Sequence, residues 1–200
     1  MRKPAFIVSG LCCLALIAAI PATLITAGDK ASFTAENVTP TAEEIKLYTL
    51  IMRYRASRGL ASIPFSPSLT HVAQTHARDL TQNKPAEGIC NMHSWSSKGP
   101  WTACCYTRDH ARASCMWDKP RELTNYPGNG YEISHGMWGA VITAEGALRG
   151  WQGSPGHNAV ILNEGMWSRT PWKAVGIGIY GNYAVVWFGN EEDPAGSIRP

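Results

Sequence analysis

Hydrophobic residues recur with a helical period in two stretches of the first half of the chain. The first stretch follows Thr41-x-x-Glu44, a capping box in which each residue can hydrogen-bond the backbone of the other, and Gly59 supplies the stop. The second opens with Ser66-Pro67, a cap residue followed by a proline in the first turn. The pattern predicts two amphipathic helices, the second with a buried stripe of Leu69, Val72, Ala73, His76, Ala77 and Leu80.

The second half of the chain predicts a third helix and a β-hairpin. The helix begins near Thr143 and continues through Trp151, until Ser154-Pro155-Gly156 breaks it. Around the turn at Gly181-Asn182, apolar and other residues alternate on both sides, as in two antiparallel strands. The alternating positions are Val175, Ile177 and Ile179 before the turn and Tyr183, Val185 and Trp187 after it. Helices followed by strands, without βαβ alternation, indicate an α+β fold with an antiparallel sheet.

The N-terminal residues have the pattern of a targeting segment. Arg2 and Lys3 precede an apolar run over residues 5–20, which Pro21 and small residues follow. This order predicts that residues 1–28 are a secretory signal peptide. Because mild apolarity continues beyond the proline, an uncleaved membrane anchor is the alternative.

Composition supports one exported globular domain. We expect residues 29–40 to form a linker and residues 41–200 to form the domain, located outside the cytoplasm as a secreted, periplasmic or cell-envelope protein. The chain is 44% hydrophobic with eight Trp, enough to build a core. Its formal net charge is only +3 and it has no Lys/Arg cluster, which argues against nucleic-acid binding. We expect a monomer that contacts a membrane only if the N-terminal segment is uncleaved.

Four cysteines of the exported part lie close together in a loop-rich segment rich in Gly, Pro and Ser. Cys90, Cys104, Cys105 and Cys115 predict two disulfides in an exported chain. A bond between the two adjacent cysteines fits disulfide geometry badly. Cys90 therefore pairs with one of them and Cys115 with the other, which staples residues 90–115. A zinc site of four thiolates is the alternative, although the spacing lacks a C-x2-C pair.

Histidines are the other candidates for chemistry, because the usual hydrolase, phosphate-binding and dinucleotide-binding motifs are missing. His76 lies on the buried stripe of the second helix and is interpreted as a hydrogen-bonded core residue. Three more are interpreted as surface or structural residues: His71, His110 and His135.

His157 and His93 have more informative surroundings. His157 follows Gly156, which would let a loop after the helix break aim the imidazole outward. His93 lies in another loop close to Cys90, whose disulfide would limit its movement. Two histidines on restrained loops suit a cation such as zinc. Two unrelated surface histidines are the alternative.

The stretch that contains His157 resembles a known family. Residues 151–162 resemble the W-x-x-S-P-G-H-x-x-x-I-L block of bacterial CAP-domain proteins, the cysteine-rich secretory, antigen 5 and pathogenesis-related-1 superfamily. Weaker similarities follow in the family's order at residues 69–80, His93-Ser94, 130–133 and 175–178. The resemblance spans about residues 42–190 and implies a three-layer α-β-α sandwich with an open cleft.

The resemblance also implies site residues. The family's cleft carries two histidines and usually two glutamates, which hold a divalent cation in some members. By position the histidines are His93 and His157, and Glu132 best matches the first glutamate after a one-residue shift. The position of the second glutamate holds Ser154, and Glu145 is the available substitute. A cation, with zinc the first choice, is therefore expected as the cofactor if there is one.

The cleft implied by the resemblance is the expected site of function, and three hypotheses describe it. The first hypothesis is a non-enzymatic module that binds a small, lipid-like or cell-envelope ligand. The rival is a metal-dependent hydrolase, in which His93 and His157 hold the metal and Glu132 is the general base. A stable envelope protein whose cleft has no remaining function is the third possibility.

Overall fold

The computed structural model describes residues 33–200 together with Met1. The predicted signal or anchor and the first part of the linker therefore lie outside the described residues. Within the part that is described, no helix is both long and apolar enough to cross a bilayer.

Two helices begin the domain as their cap residues predict. Helix α1 spans Ala42–Ala56, and the backbone N–H of Glu44 donates to Thr41 Oγ1 at 3.2 Å while that of Thr41 donates to Glu44 Oε2 at 2.7 Å. This reciprocal pair confirms the capping box. Helix α2 spans Pro67–Asn83, and Ser66 Oγ accepts from the N–H of Leu69 at 2.9 Å.

The remaining elements include one strand that the hydrophobic pattern does not predict. Short helices α3, Ser114–Trp117, and α4, Lys119–Leu123, precede strand β1, Tyr131–Gly136. Helices α5, Ala144–Gln152, and α6, Pro155–Leu162, follow, and strands β2, Ala174–Tyr180, and β3, Tyr183–Gly189, form the predicted hairpin. Two single turns of 3-10 helix occur at Ala35–Asn37 and Gly165–Trp167.

The sheet is antiparallel, with the strand order β1-β3-β2. Helix α2 packs against β2 and β3 on one face, while α1, α5 and α6 cover the other face. Alternate residues of β3 enter the two cores: Val186 packs with α1 and α5, whereas Val185 and Trp187 pack with α2. This arrangement confirms the α+β class and the three-layer α-β-α sandwich.

The predicted break after α5 is present, but the expected loop conformation of His157 is wrong. Ser154 occupies the N-cap position of α6, and Pro155 is the first residue of that helix. Proline is favoured there because its missing N–H has no partner in the first turn anyway. His157 is therefore the third residue of a helix, which holds its backbone more firmly than a loop would.

The four cysteines form two disulfides, Cys90–Cys105 and Cys104–Cys115. This confirms the prediction of two bonds and selects one of the two pairings that the spacing left open. The bonds hold residues 90–115 against α2, where Trp95 pairs with Cys104 through two backbone hydrogen bonds of 2.7 and 3.0 Å. Trp95, Cys104 and Tyr106 are buried in the core on this face.

Close approach between α2 and β2 gives a test of the layer packing. A Cβ on Gly178 would lie 2.2 Å from the carbonyl carbon of Ala73, a backbone atom that cannot swing aside. We expect Gly178→Ala to lower the free energy of unfolding by about 3 kcal/mol, at the upper end of overpacking effects. Urea denaturation of the oxidised protein measures this.

Gly156→Ala is the matched control for that experiment. Gly156 lies in the first turn of α6 with no atom within 4 Å of the new Cβ, so its replacement is expected to be neutral or slightly stabilising. Equal stability of the two variants would contradict the close contact between α2 and β2.

Candidate functional site

A fully buried carboxylate lies at the centre of the candidate site. Glu132 is in β1, the edge strand, directly opposite Trp187 of β3. Its side chain is 0% exposed and faces the α2 side of the sheet. Because side chains alternate along a strand, Tyr131 on the other face packs near Trp172 instead. The pleat therefore directs Glu132, and not the neighbouring tyrosine, towards the histidines.

His76 of α2 is the nearest partner of this carboxylate. Its Nδ1 lies 3.1 Å from Glu132 Oε2 and its Nε2 lies 2.9 Å from the carbonyl oxygen of Ser94. The carbonyl can only accept, so Nε2 donates to it. The imidazole also stacks on Trp95, with the ring centroids 4.3 Å apart. His76 is the buried core residue that the sequence predicts, but its contact with Glu132 was not foreseen.

His93 approaches the same oxygen from the disulfide-stapled segment. Its Nδ1 lies 3.6 Å from Glu132 Oε2, an ion-pair distance rather than a direct hydrogen bond. The backbone N–H of His93 donates to Asn91 Oδ1 at 3.0 Å, and its ring meets Tyr106 edge to face. The side chain is 20% exposed although Nδ1 is buried, so the rest of the ring carries the exposure.

His157 lies in the first turn of α6, a helix that packs against α5 and α1. Burial lowers the pKa of this half-buried imidazole, and positive charge on His93 and His135 lowers it further, while Glu132 opposes this effect. His93, His135 and Glu132 are therefore within electrostatic range of His157. His135 was interpreted from the sequence as a surface or structural residue. Its side chain extends from β1 towards Gly150 and Trp151 of α5.

The negative charge of Glu132 is maintained by its neighbours. Burial alone would raise the pKa of Glu132, but the neighbouring imidazoles of His76 and His93 outweigh burial and lower it. The carboxyl group is thus ionised at neutral pH. The imidazole of His76, with Nδ1 3.1 Å from Glu132 Oε2, is the nearest group to this buried charge.

Several buried polar atoms of the site have no aligned hydrogen-bond partner among the described residues. They are both carboxylate oxygens of Glu132, Nδ1 of His76, Nδ1 of His93 and the hydroxyl of Ser134, which lies two residues along the same face of β1. Buried polar groups of native proteins are almost always satisfied. These atoms are therefore available to a small polar partner at this position.

The donor set does not fit a three-ligand catalytic zinc site. Both Nδ1 atoms that approach Glu132 face its carboxylate, the arrangement of an outer carboxylate that orients a histidine. Across residues 33–200, no group of three or more His, Cys, Asp or Glu side chains is arranged to hold a metal ion. His93 and His157 remain as two candidate ligands, one fewer than catalytic zinc ordinarily has.

Glu145, the suggested substitute for a second glutamate, lies outside this group. It occupies the first turn of α5, where its carboxylate pairs with Lys46 at 2.8 Å and is 41% exposed. Two open clefts of about 480 and 390 Å³ also lie elsewhere on the domain.

Comparison with known proteins assigns the family. The model of the CAP family, described as the cysteine-rich secretory protein family, matches residues 48–185. The chain belongs to the CAP family. This match includes His76, His93, Glu132 and His157, and it confirms the resemblance seen in the sequence.

Solved structures share the fold of this CAP domain. An extracellular protein containing an SCP domain from Bacillus anthracis str. Ames aligns with a TM-score of 0.53 and 17% identity, over 74% of this chain and 40% of that one. An outer surface protein from Borrelia burgdorferi aligns with a TM-score of 0.50 and 18% identity, over 76% of this chain and 95% of that one. No curated protein matches the chain.

Removal of the central charge tests its structural role. We expect Glu132→Gln to lower the free energy of unfolding by about 3 kcal/mol, because His76 and His93 lose the buried carboxylate that they contact. Glu145→Gln is the matched control, and we expect no measurable change because its ion pair is exposed to solvent. Urea denaturation at pH 7 distinguishes the two, and equal stability would contradict the buried charge contact.

The pH dependence of stability tests the burial of His157. The pKa of His157 in the folded protein lies below the ordinary histidine value of about 6.5, so the unfolded chain binds more protons just below that pH. The free energy of unfolding should therefore rise as the pH increases towards about 6.5 from the acid side. His157→Gln should reduce this slope without abolishing it, because burial also lowers the pKa values of His71 and His135. An unchanged slope would contradict the account.

Proposed function

We propose that this CAP domain is exported and binds the polar part of a lipid-like or cell-envelope ligand with His93 and His157. The observation that carries the proposal is the ionised Glu132 buried behind His93. It draws the Nδ1 proton of His93 towards the interior, which leaves Nε2 as the outward-facing acceptor. The cleft therefore presents an oriented imidazole and not a freely rotating one.

The charge of the cleft indicates which ligand chemistry it favours. Because the pKa of His157 is lowered, this imidazole is neutral at pH 7 and offers no positive charge to a phosphate. Neutral imidazoles hydrogen-bond hydroxyl and amide groups instead. A glycan or a hydroxyl-bearing lipid headgroup thus suits the cleft better than a free anion does.

Export is supported by two independent features. The two disulfides are typical of an oxidising compartment outside the cytoplasm. The charged and then apolar order of the N-terminal residues is typical of a secretory signal. Both agree with a secreted or cell-envelope location.

A metal-dependent hydrolase is the second candidate. Two histidines beside one cleft and a carboxylate behind one of them favour it. Against it, Glu132 is fully buried and engaged with two imidazoles, so it is placed to orient His93 rather than to take a proton from water. We therefore place ligand binding first.

Binding by variants of single histidines tests the proposal. The probes are soluble peptidoglycan fragments and short-chain glycolipids, titrated by calorimetry into the wild type, His93→Ala and His157→Ala. We expect at least one class to bind and its affinity to fall about tenfold in both variants, a loss of about 1.4 kcal/mol. Glu145→Gln is the control, because Glu145 is exposed and pairs with Lys46 outside the group of histidines. Equal affinities in all four proteins would contradict the proposal.

Zinc titration separates the two candidates. With only two candidate protein ligands, we expect the dissociation constant of the wild type for zinc to be weaker than micromolar. Stoichiometric micromolar or tighter binding that is lost in both His93→Ala and His157→Ala would favour the hydrolase and justify a search for its substrate.

A further inference from the structure

Large apolar side chains are exposed together at one end of the domain. In the loop between β1 and α5, Met137 is 42% exposed, Trp138 96% and Val141 75%. At the end of β2, beside the turn to β3, Tyr180 is 40% exposed. We refer to residues 137–141 and Tyr180 as the apolar end.

Hydrogen bonds fix the two parts of the apolar end to each other. The backbone N–H of Met137 donates to the carbonyl of Asn182 at 2.9 Å, and Asn182 Nδ2 donates back to the carbonyl of Met137 at 3.0 Å. Thr81 of α2 donates from its hydroxyl to the carbonyl of Tyr180 at 2.9 Å. These hydrogen bonds hold the backbone at Met137 and Tyr180, next to the exposed side chains.

The exposed side chains of residues 137–141 do not contribute to the hydrophobic core. Ile142 and Ala144, immediately after them, are buried at 2% and 0% exposure and complete the core on the α1 and α5 side. The preceding apolar residues extend beyond that core. Soluble monomers rarely expose several large apolar side chains together unless something covers them.

The chemistry of the apolar end matches the surface of a lipid bilayer. Trp and Tyr are favoured at this boundary because one part of the ring system is apolar and the other can hydrogen-bond. Two cations flank the surface: Arg78 lies 5.9 Å from the centre of the Tyr180 ring, and Lys84 caps the end of α2. Carboxylates lie beside it as well: Glu43 accepts from the N–H of Ala144 at 2.9 Å and Glu44 accepts from that of Ile179 at 2.9 Å, while Glu87 is on the loop after α2. Basic residues beside apolar ones favour anionic lipid.

The chain that precedes the domain allows such a contact. Residues 21–32 follow the apolar run over 5–20 and can extend to about 40 Å. The ring of Phe33 lies 5.4 Å from that of His71, and α2 rises about 20 Å from there to Lys84. If the N-terminal segment stays in the membrane as an anchor, the apolar end is within reach of the same bilayer. If that segment is removed, the apolar end is the part of the domain that can contact the bilayer.

We propose that the apolar end docks on the headgroup region of a bilayer that contains anionic lipid, with Trp138 inserted into the boundary. This contact uses none of the cleft residues, so it goes beyond the proposed ligand binding and can fail independently of it. Docking holds the domain by one end at the surface of the envelope.

Fluorescence quenching by lipid tests the insertion. The full chain is mixed with vesicles of three parts phosphatidylcholine to one part phosphatidylglycerol, with and without bromine atoms on the upper acyl chain. We expect bromine to quench Trp emission in the wild type, and this quenching to be lost in Trp138→Phe and kept in Trp167→Phe. Because the readout is local to Trp138, it is valid even if an N-terminal anchor binds the vesicles. Equal quenching in all three proteins would overturn the proposal.

Two further measurements use variants that remove the apolar side chains. We expect the double variant Trp138→Ser with Val141→Ser to bind these vesicles at least fivefold more weakly once the N-terminal segment is removed, and Met166→Ser to bind as the wild type does. Met166 is the control because it is 84% exposed on a different turn. Dimerisation of the wild type in sedimentation velocity, abolished by the double variant without an effect on vesicle binding, would overturn the proposal in favour of a second copy as the occupant.

Discussion

The burial of one carboxylate constrains how this domain is assembled. A charge removed from water must be compensated by partners at close range. Here the partners of Glu132 come from two other parts of the chain, His76 from α2 and His93 from the stapled segment. Strand, helix and segment must therefore all be in place before the charge is satisfied. The same contact orients the cleft histidine, so the stability and the proposed binding chemistry depend on one group.

The disulfide-stapled segment belongs to this arrangement and is more than a surface loop. Trp95 stacks on His76, its neighbour Ser94 accepts a hydrogen bond from the same imidazole, and Tyr106 lies against His93. The bonds Cys90–Cys105 and Cys104–Cys115 limit the movement of these residues. A small domain gains from such bonds because they restrict its unfolded chain. Here they also restrain the residues that contact His76 and His93.

Local signals were sufficient for much of the fold. Cap residues and periodic apolar positions predict α1, α2 and α5, and the alternation around Gly181 predicts the hairpin, because each depends on neighbours in the sequence. Strand β1 was missed because its six residues, Tyr131–Gly136, mix apolar with polar side chains that are satisfied only by distant partners. The conformation of His157 was mistaken because Ser154-Pro155-Gly156 ends one helix and starts another at once.

The site was only partly predictable for the same reason. His93, His157 and Glu132 came from the family resemblance; in the structure His93 lies 3.6 Å from Glu132, and both are within electrostatic range of His157. The contact of His76 with Glu132 joins residues 56 positions apart and has no signature in either local sequence. The one-residue ambiguity between Tyr131 and Glu132 is decided by the pleat of the strand, which assigns them to opposite faces.

The proton position on His93 tests the central role of Glu132 most directly. Nitrogen-15 NMR of the labelled protein at mildly alkaline pH distinguishes the two neutral forms of each imidazole. The account predicts that His93 carries its proton on Nδ1, facing the carboxylate, and that this preference disappears in Glu132→Gln. A proton on Nε2 in the wild type, or the same distribution in both proteins, would contradict it.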